Sequence, residues 1–198
     1  MSFSFNSCPI DGLVEIQPRV FADDRGYFFE AWSKREFADA GIQADFVQDN
    51  QSRSVKGVLR GLHFQKIHTQ GKLVRAIEGE VFDVAVDIRP GSLHYGKWHS
   101  VVLSGEARNQ FYIPPGFAHG FLVLSDTAVF AYKCTDFYHP EDEGGIIWND
   151  PSIDIRWPSL GIDYILSDKD KEWPRLLEAT SENPKIKACD RTESGVYT

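Results

Sequence analysis

Two of the six histidines stand where chemistry could use them. His63 lies in G-V-L-R-G-L-H-F-Q (57–65), inside an otherwise apolar strand pattern. His119 lies in I-P-P-G-F-A-H-G-F (113–121), directly after a rigid Pro-Pro-Gly turn. Imidazole is the side chain whose unperturbed pKa falls near neutrality. Either residue could therefore pass protons, or could equally be a core histidine satisfied by a backbone partner. His68, His94, His99 and His139 fall in polar or turn segments and are expected at the solvated surface. Arg60 precedes His63 by three positions, which in an ideal strand sends the two side chains to opposite faces. They can serve one site only if Gly61 marks a bulge or bend that re-aims one of them. Lys72 opens the run K-L-V-R-A-I. Tyr132 shares an inward-looking face with Ala128, Phe130 and Cys134, and a buried phenol there needs a partner or a task.

The elements that must position these groups read as strands. Residues 80–88 alternate, with Phe82, Val84, Val86 and Ile88 on one face and Asp83, Ala85 and Asp87 on the other. The alternation leaves open whether Asp83 and Asp87 meet solvent or line an interior. Similar β-branched or aromatic runs occupy 72–77, 98–103, 109–113, 120–124 and 127–135, with turn signals at 89–92, 104–105, 114–116 and 125–126. Short strands at this spacing predict a mainly β fold, an antiparallel sandwich or barrel. Helices are few. Ser33-Lys34-Arg35-Glu36 has the form of a capping box ahead of Phe37, stopped by Gly41. A second brief turn is expected at Ser167-Asp168-Lys169-Asp170, with Asp168 as the cap partner and Pro174 closing it.

The whole chain agrees with that reading. Its 198 residues, 42% hydrophobic and 25% charged, suit one globular domain that folds without staples. Residues 1–180 are read as that single domain and 181–198 as a polar arm or tail. Aromatic residues at 13%, with 16 Gly, 10 Pro and one Met, favour short strands, tight turns and rigid packing. A net charge of −8 argues against a general affinity for nucleic acid or anionic lipid, while leaving room for a local site for one small anion. Cys8, Cys134 and Cys189 show no metal-type spacing and are read as reduced thiols. No signal-peptide pattern and no apolar run of about 20 residues is present, so a cytoplasmic protein without membrane attachment is expected.

The segment I-P-P-G-F-A-H-G-F resembles the second signature of the cupin superfamily of jelly-roll barrels. Metal-binding cupins carry a His-x-His pair and an acid in their first signature, whereas here His63 stands alone before Phe64 and Gln65. One histidine from each region is a poor shell for an ion that wants three or more ligands, so acid–base chemistry is favoured and no metal or other cofactor is expected. A closer resemblance rests on motifs in order: F-A-D-D-R-G-Y-F-F-E (21–30), Q-D-N-Q-S (48–52), V-L-R-G-L-H-F-Q (58–65), G-K-L-V-R (71–75) and G-E-V-F-D-V-A-V-D-I-R (79–89), then I-P-P-G-F-A-H-G-F, Y-K-C-T-D-F-Y (132–138), W-N-D-P (148–151) and L-S-D-K-D (166–170). Over roughly residues 5–175 the chain resembles the dTDP-4-dehydrorhamnose 3,5-epimerase family.

That resemblance implies an isomerase inverting C3 and C5 of dTDP-4-dehydro-6-deoxy-D-glucose through enolates, on the way to dTDP-L-rhamnose. It assigns His63 as the base, Asp170 as the carboxylate holding its imidazole, Tyr132 as the acid on the opposite face and Lys72 as the cation beside the enolate oxygen. It places Arg25 and Arg60 on the diphosphate and Tyr138 against the thymine. Glu30, Gln48, Asp49, Asn50, His119, Glu143 and Lys169 are implied as further substrate contacts. It also implies a homodimer with exchanged N-terminal segments, in which Arg25 and Glu30 serve the neighbouring pocket. A relative inverting a single carbon, a sugar 3,4-ketoisomerase and a silent nucleotide-sugar-binding cupin are the rival readings. Intact His63, Asp170 and Tyr132 favour the double epimerase.

Overall fold

The computed structural model describes residues 2–181, so the expected tail falls, from residue 182 on, outside the described residues. In chain order the strands are β1 Phe3–Ser7, β2 Val14–Pro18, β3 Phe21–Asp23, β4 Gly26–Phe28, β5 Gln48–Val55, β6 Leu59–Gln65 and β7 Lys72–Glu78. They continue as β8 Glu80–Asp87, β9 Trp98–Ser104, β10 Gln110–Ile113, β11 Phe117–Val123, β12 Thr127–Cys134 and β13 Glu143–Gly145. Three short α-helices, α1 Lys34–Asp39, α2 Asp168–Glu172 and α3 Leu176–Ser181, and a 3-10 turn at Pro140–Asp142 complete the elements.

One sheet runs β1-β2-β10-β7-β12-β5 and the other β13-β6-β11-β8-β9, with β3–β4 a separate hairpin. All pairings between these strands are antiparallel, as expected of a jelly roll. Phe111, Phe121, Phe130, Val74, Val81 and Ala85, drawn from both sheets, form the core between them. The back of the five-stranded sheet (Leu62, Val84, Val86, Ile88) is covered by Ile146, Ile153 and Leu176. The back of the other (Ile16, Leu73, Tyr112) is covered by Phe37 and Ile42, around α1. Burial of a Leu, Ile or Phe side chain contributes about 1.5–3 kcal/mol, so these layers hold the frame on which the polar site is mounted.

This double burial explains the 80–88 pattern. Val84, Val86 and Ile88 face the outer layer, whereas Val81 and Ala85 face the inter-sheet core. Asp83, on the inner face, is fully buried.

The elements differ from expectation in detail. Strand β11 begins at Phe117 rather than 120, because pairing with β8 starts at Phe117↔Asp87, directly after the Pro-Pro-Gly turn. Helix α1 forms, but no capping box does: Ser33 makes no side-chain cap bond, and Glu36 accepts from the Ser2 N–H at 2.7 Å. Helix α2 also forms. Its cap is Ser167, whose hydroxyl accepts the Asp170 N–H, while Asp168 turns outward to Lys171.

Candidate active site

Between the two sheets opens a cavity of about 410 Å³, within the size range of small-molecule sites. One wall comes from β5, β7 and β12 and carries Gln48, Asn50, Lys72 and Tyr132. The opposite wall comes from β6, β11 and β13 and carries Arg60, His63, His119 and Glu143.

Arg60 and His63 share this wall because β6 is bulged. Opposite β11, His63 pairs with His119 and Arg60 with Phe121, so three steps on β6 span two on its partner. Gly61 permits it. Its φ is +130°, and a Cβ there would sit 2.6 Å from the Gly120 Cα. A side chain is excluded by backbone conformation and by space together.

His63 Nε2 lies 2.5 Å from Asp170 Oδ1. Burial works to raise the Asp170 carboxyl, but the hydrogen bond and charge of His63, with bonds from Ser167 and Trp173, outweigh it and hold the group below the usual carboxylate range. An ionised carboxylate only accepts, so Nε2 carries the proton and Nδ1 is left as the basic atom. The Trp173 Nε1–H reaches the same Oδ1 at 3.3 Å, and its ring meets the His63 ring edge to face at 6.2 Å. Nothing in the sequence singles out Trp173, because a single aromatic three places after Asp170 is an insufficient signal.

A second His–carboxylate pair sits deeper. The His119 Nε2–H donates to both Asp83 oxygens, at 2.8 and 3.0 Å, and both residues are buried. Asp83 is the other functional group that spacing left undecided; an acid among apolar inner-face residues was the available sign. Burial raises its carboxyl above the ordinary value against the pull of His119 and Lys72. Lys72 is likewise buried, not an exposed strand-end lysine. Burial lowers its ammonium below the usual lysine range, opposed by the charges of Cys134 and Asp83. Tyr132 is raised above 10 by burial first, with Arg60 opposing. At neutral pH it is therefore a protonated donor.

At the mouth, the Tyr138 hydroxyl donates to Glu143 Oε2 at 2.9 Å and the Tyr138 N–H donates to Gln48 Oε1 at 3.0 Å. Lys169 closes an ion pair on the same Glu143 oxygen and lies over the Trp173 ring. Gln48 Nε2 donates to Asn50 Oδ1, and the Arg60 guanidinium reaches Ser54 Oγ at 3.2 Å. Three expected contacts are placed elsewhere in the chain. Asp49 points to the other face of β5 and pairs with Lys133 at 2.9 Å. Arg25 sits on the β3–β4 hairpin, 90% exposed and paired with Asp23, and neither it nor Glu30 lines the cavity.

Two groups of His, Cys and carboxylate donors among the described residues are close enough to share an ion, Cys8/Glu15/His99 and His68/Asp136/His139. Both lie outside this cavity. No described helix is long and apolar enough to cross a membrane.

Comparison with known proteins gives this geometry its context. The family model described as dTDP-4-dehydrorhamnose 3,5-epimerase matches residues 7–178. A protein of that name from Methanothermobacter thermautotrophicus is 54% identical over 177 residues, 89% of this chain and 96% of its own. The crystal structure of dTDP-6-deoxy-D-glucose-3,5-epimerase from Legionella pneumophila, in complex with dTDP-4-keto-L-rhamnose, superposes with a TM-score of 0.86 at 54% identity, covering 88% of this chain and 93% of that one. A 3'-monoepimerase from Streptomyces bikiniensis, in complex with dTDP-quinovose, is more distant in sequence, at 33% identity and TM-score 0.82 with 91% of each chain covered.

Proposed function

The chain belongs to the dTDP-4-dehydrorhamnose 3,5-epimerase family, and from that premise we propose how its pocket carries out the reaction. The enzyme is an isomerase that converts dTDP-4-dehydro-6-deoxy-D-glucose to dTDP-4-dehydro-L-rhamnose, a step of dTDP-L-rhamnose synthesis. Both C3 and C5 flank the C4 ketone, so loss of either proton gives an enolate stabilised by resonance. His63 Nδ1 takes the proton, and Asp170 stabilises the imidazolium through Nε2. The Lys72 ammonium faces the developing charge on the C4 oxygen, a fixed cation acting in a dry site. Tyr132 returns a proton to the opposite face; solvent then recharges the phenol and takes the abstracted proton from the His63 imidazolium.

The observation that carries this reading is the placement of the two proton-handling groups. His63 stands on one sheet and Tyr132 on the other, across one cavity. A ring held between them loses its proton toward one wall and regains one from the other, which inverts the carbon.

The nucleotide is held at the mouth. Arg60 offers a forked donor to the diphosphate, and the Tyr138 ring, 49% exposed, stacks on the thymine. Gln48, Asn50, His119, Glu143 and Lys169 frame the sugar and its linkage. Asp49 acts at a distance, by holding Lys133. Arg25 and Glu30 reach the pocket of a second copy in a homodimer with exchanged N-terminal segments. The β3–β4 hairpin supports this, since Phe21, Tyr27 and Phe28 are 49%, 58% and 70% exposed in the single chain and await a cover. The free Cys8 and Cys134 accord with work in the reducing cytoplasm.

Incubation of the 4-keto sugar nucleotide with enzyme in heavy water, followed by NMR, tests the reaction. Deuterium enters at both C3 and C5, and a reductase traps the L-rhamno product. Exchange at C3 alone would make this a single epimerase, and no exchange would leave a binding protein. His63→Ala lowers the exchange rate by roughly a hundred- to ten-thousand-fold while nucleotide binding persists. Exchange near the wild-type rate in that variant would remove His63 from the role of base.

A further inference from the structure

Away from the cavity, the two sheets meet at a group of donors that the epimerase chemistry does not use. Cys8 follows β1, Glu15 is in β2 and His99 is in β9. One ligand atom from each lies within 4.8 Å of the other two. His99, expected at the open surface, has a side chain only 22% exposed, with Nε2 3.3 Å from Glu15 Oε1. We propose that Cys8, Glu15 and His99 bind a zinc-class divalent ion that ties the six-stranded sheet to the edge of the five-stranded one.

The donor set suits such an ion. A thiolate, a carboxylate and a neutral imidazole together contribute two negative charges and leave a dication neutral. Sulfur with imidazole selects zinc or cobalt over magnesium and calcium, which prefer oxygen. Zinc bonds of about 2.3 Å to sulfur and about 2.0–2.2 Å to nitrogen or oxygen place tetrahedral donors about 3.5 Å apart, so donors within 4.8 Å of one another close by up to about 1 Å, and a water completes the tetrahedron.

The backbone under the donors is already fixed. Glu15 pairs with Asn6 of β1 and with Phe111 of β10, so its strand is held on both sides. His99 is paired to Ala85, and the Cys8 N–H donates to the Leu13 carbonyl at 3.0 Å. On binding, the thiol proton leaves to solvent and the metal–sulfur bond takes its place, with no change of oxidation state.

The other donor group is less suitable. The His68 and His139 rings stack at 4.0 Å with 19° between their planes. In-plane lone pairs of two nearly parallel rings cannot converge on one ion without re-orienting a ring.

The test is titration of the chelator-treated full chain with cobalt(II), independently of any epimerase assay. The wild type develops a thiolate-to-cobalt charge-transfer band in the near ultraviolet with tetrahedral bands in the visible, saturates at one equivalent and gives up cobalt to zinc. Cys8→Ser loses the charge-transfer band and His99→Ala weakens binding at least tenfold. Cys189→Ser and His139→Ala keep the wild-type spectrum. Near-ultraviolet circular dichroism of each variant confirms the fold. Absence of the band from the wild type, or its survival in Cys8→Ser, overturns the proposal and leaves a simple His99–Glu15 ion pair beside a bystander thiol.

Discussion

Each charged group in the cavity is set by its neighbours. Asp83 holds the Nε2–H tautomer of His119 and raises the Lys72 ammonium against the lowering effect of burial. If Lys72 must be cationic to face the enolate, turnover falls on the alkaline side below the ordinary lysine value of about 10.4. Asp83→Asn keeps an acceptor for His119 but removes the negative charge. The alkaline limb of kcat therefore moves to lower pH, with kcat about tenfold down at neutrality, a barrier change of about 1.4 kcal/mol. A pH–rate profile decides this. An unmoved limb would assign it to another group, such as the Tyr132 phenol. Side-chain identity makes His63, Tyr132 and His119 visible in the sequence as polar residues within apolar runs, and Lys72 as the cation that opens one. Asp83 and Trp173 were not visible as site residues, because their roles come from what they touch in three dimensions.

Among the elements, α2 carries Asp170 to the His63 ring. Ser167 starts it by accepting the Asp170 N–H at 3.2 Å. Ser167→Ala costs about 1 kcal/mol of cap energy. Carried wholly into the barrier, that is about fivefold in kcat, and KM changes little because the nucleotide contacts lie at the mouth. An unaltered kcat would show that Trp173 and His63 alone hold the carboxylate in place. Strands β7, β8, β9, β10 and β12 are legible from alternation or β-branched runs, because each packs an apolar face. Strand β5, Q-D-N-Q-S-R-S-V, carries no strand signal in its sequence. One face lines a polar cavity and the other meets solvent, so no hydrophobic period forms. The capping box at Ser33 failed for a tertiary reason: Glu36 is taken by the chain's own second residue.

For the whole molecule, the exposed β3–β4 hairpin and the absence of Arg25 from the pocket point to assembly. If Arg25 serves the neighbouring pocket, Arg25→Ala and His63→Ala are each deficient alone yet complement one another. Refolding an equal mixture restores about a quarter of wild-type activity, because half the dimers are hybrids and each hybrid has one complete pocket of two. If Arg25 served its own pocket, the mixture would gain nothing. The net charge of −8 describes the whole surface and says little about this site, where Arg60 and Lys72 face the space between the sheets.

The bulge in β6 has a consequence for how this chain can vary in length. Beyond Gly61 the inside–outside phase of the strand is reset by one place. Paired without the bulge at the same residue count, the strand would turn the catalytic imidazole away from the cavity and present its apolar neighbour in its stead; loss of one residue between Leu59 and His63 instead removes the extra place, and ordinary pairing then keeps His63 opposite His119. Turns such as 89–92 can absorb an insertion or deletion at the surface. In this stretch residue count and bulge are tied together, so the loss of one residue has to be matched by the loss of the bulge.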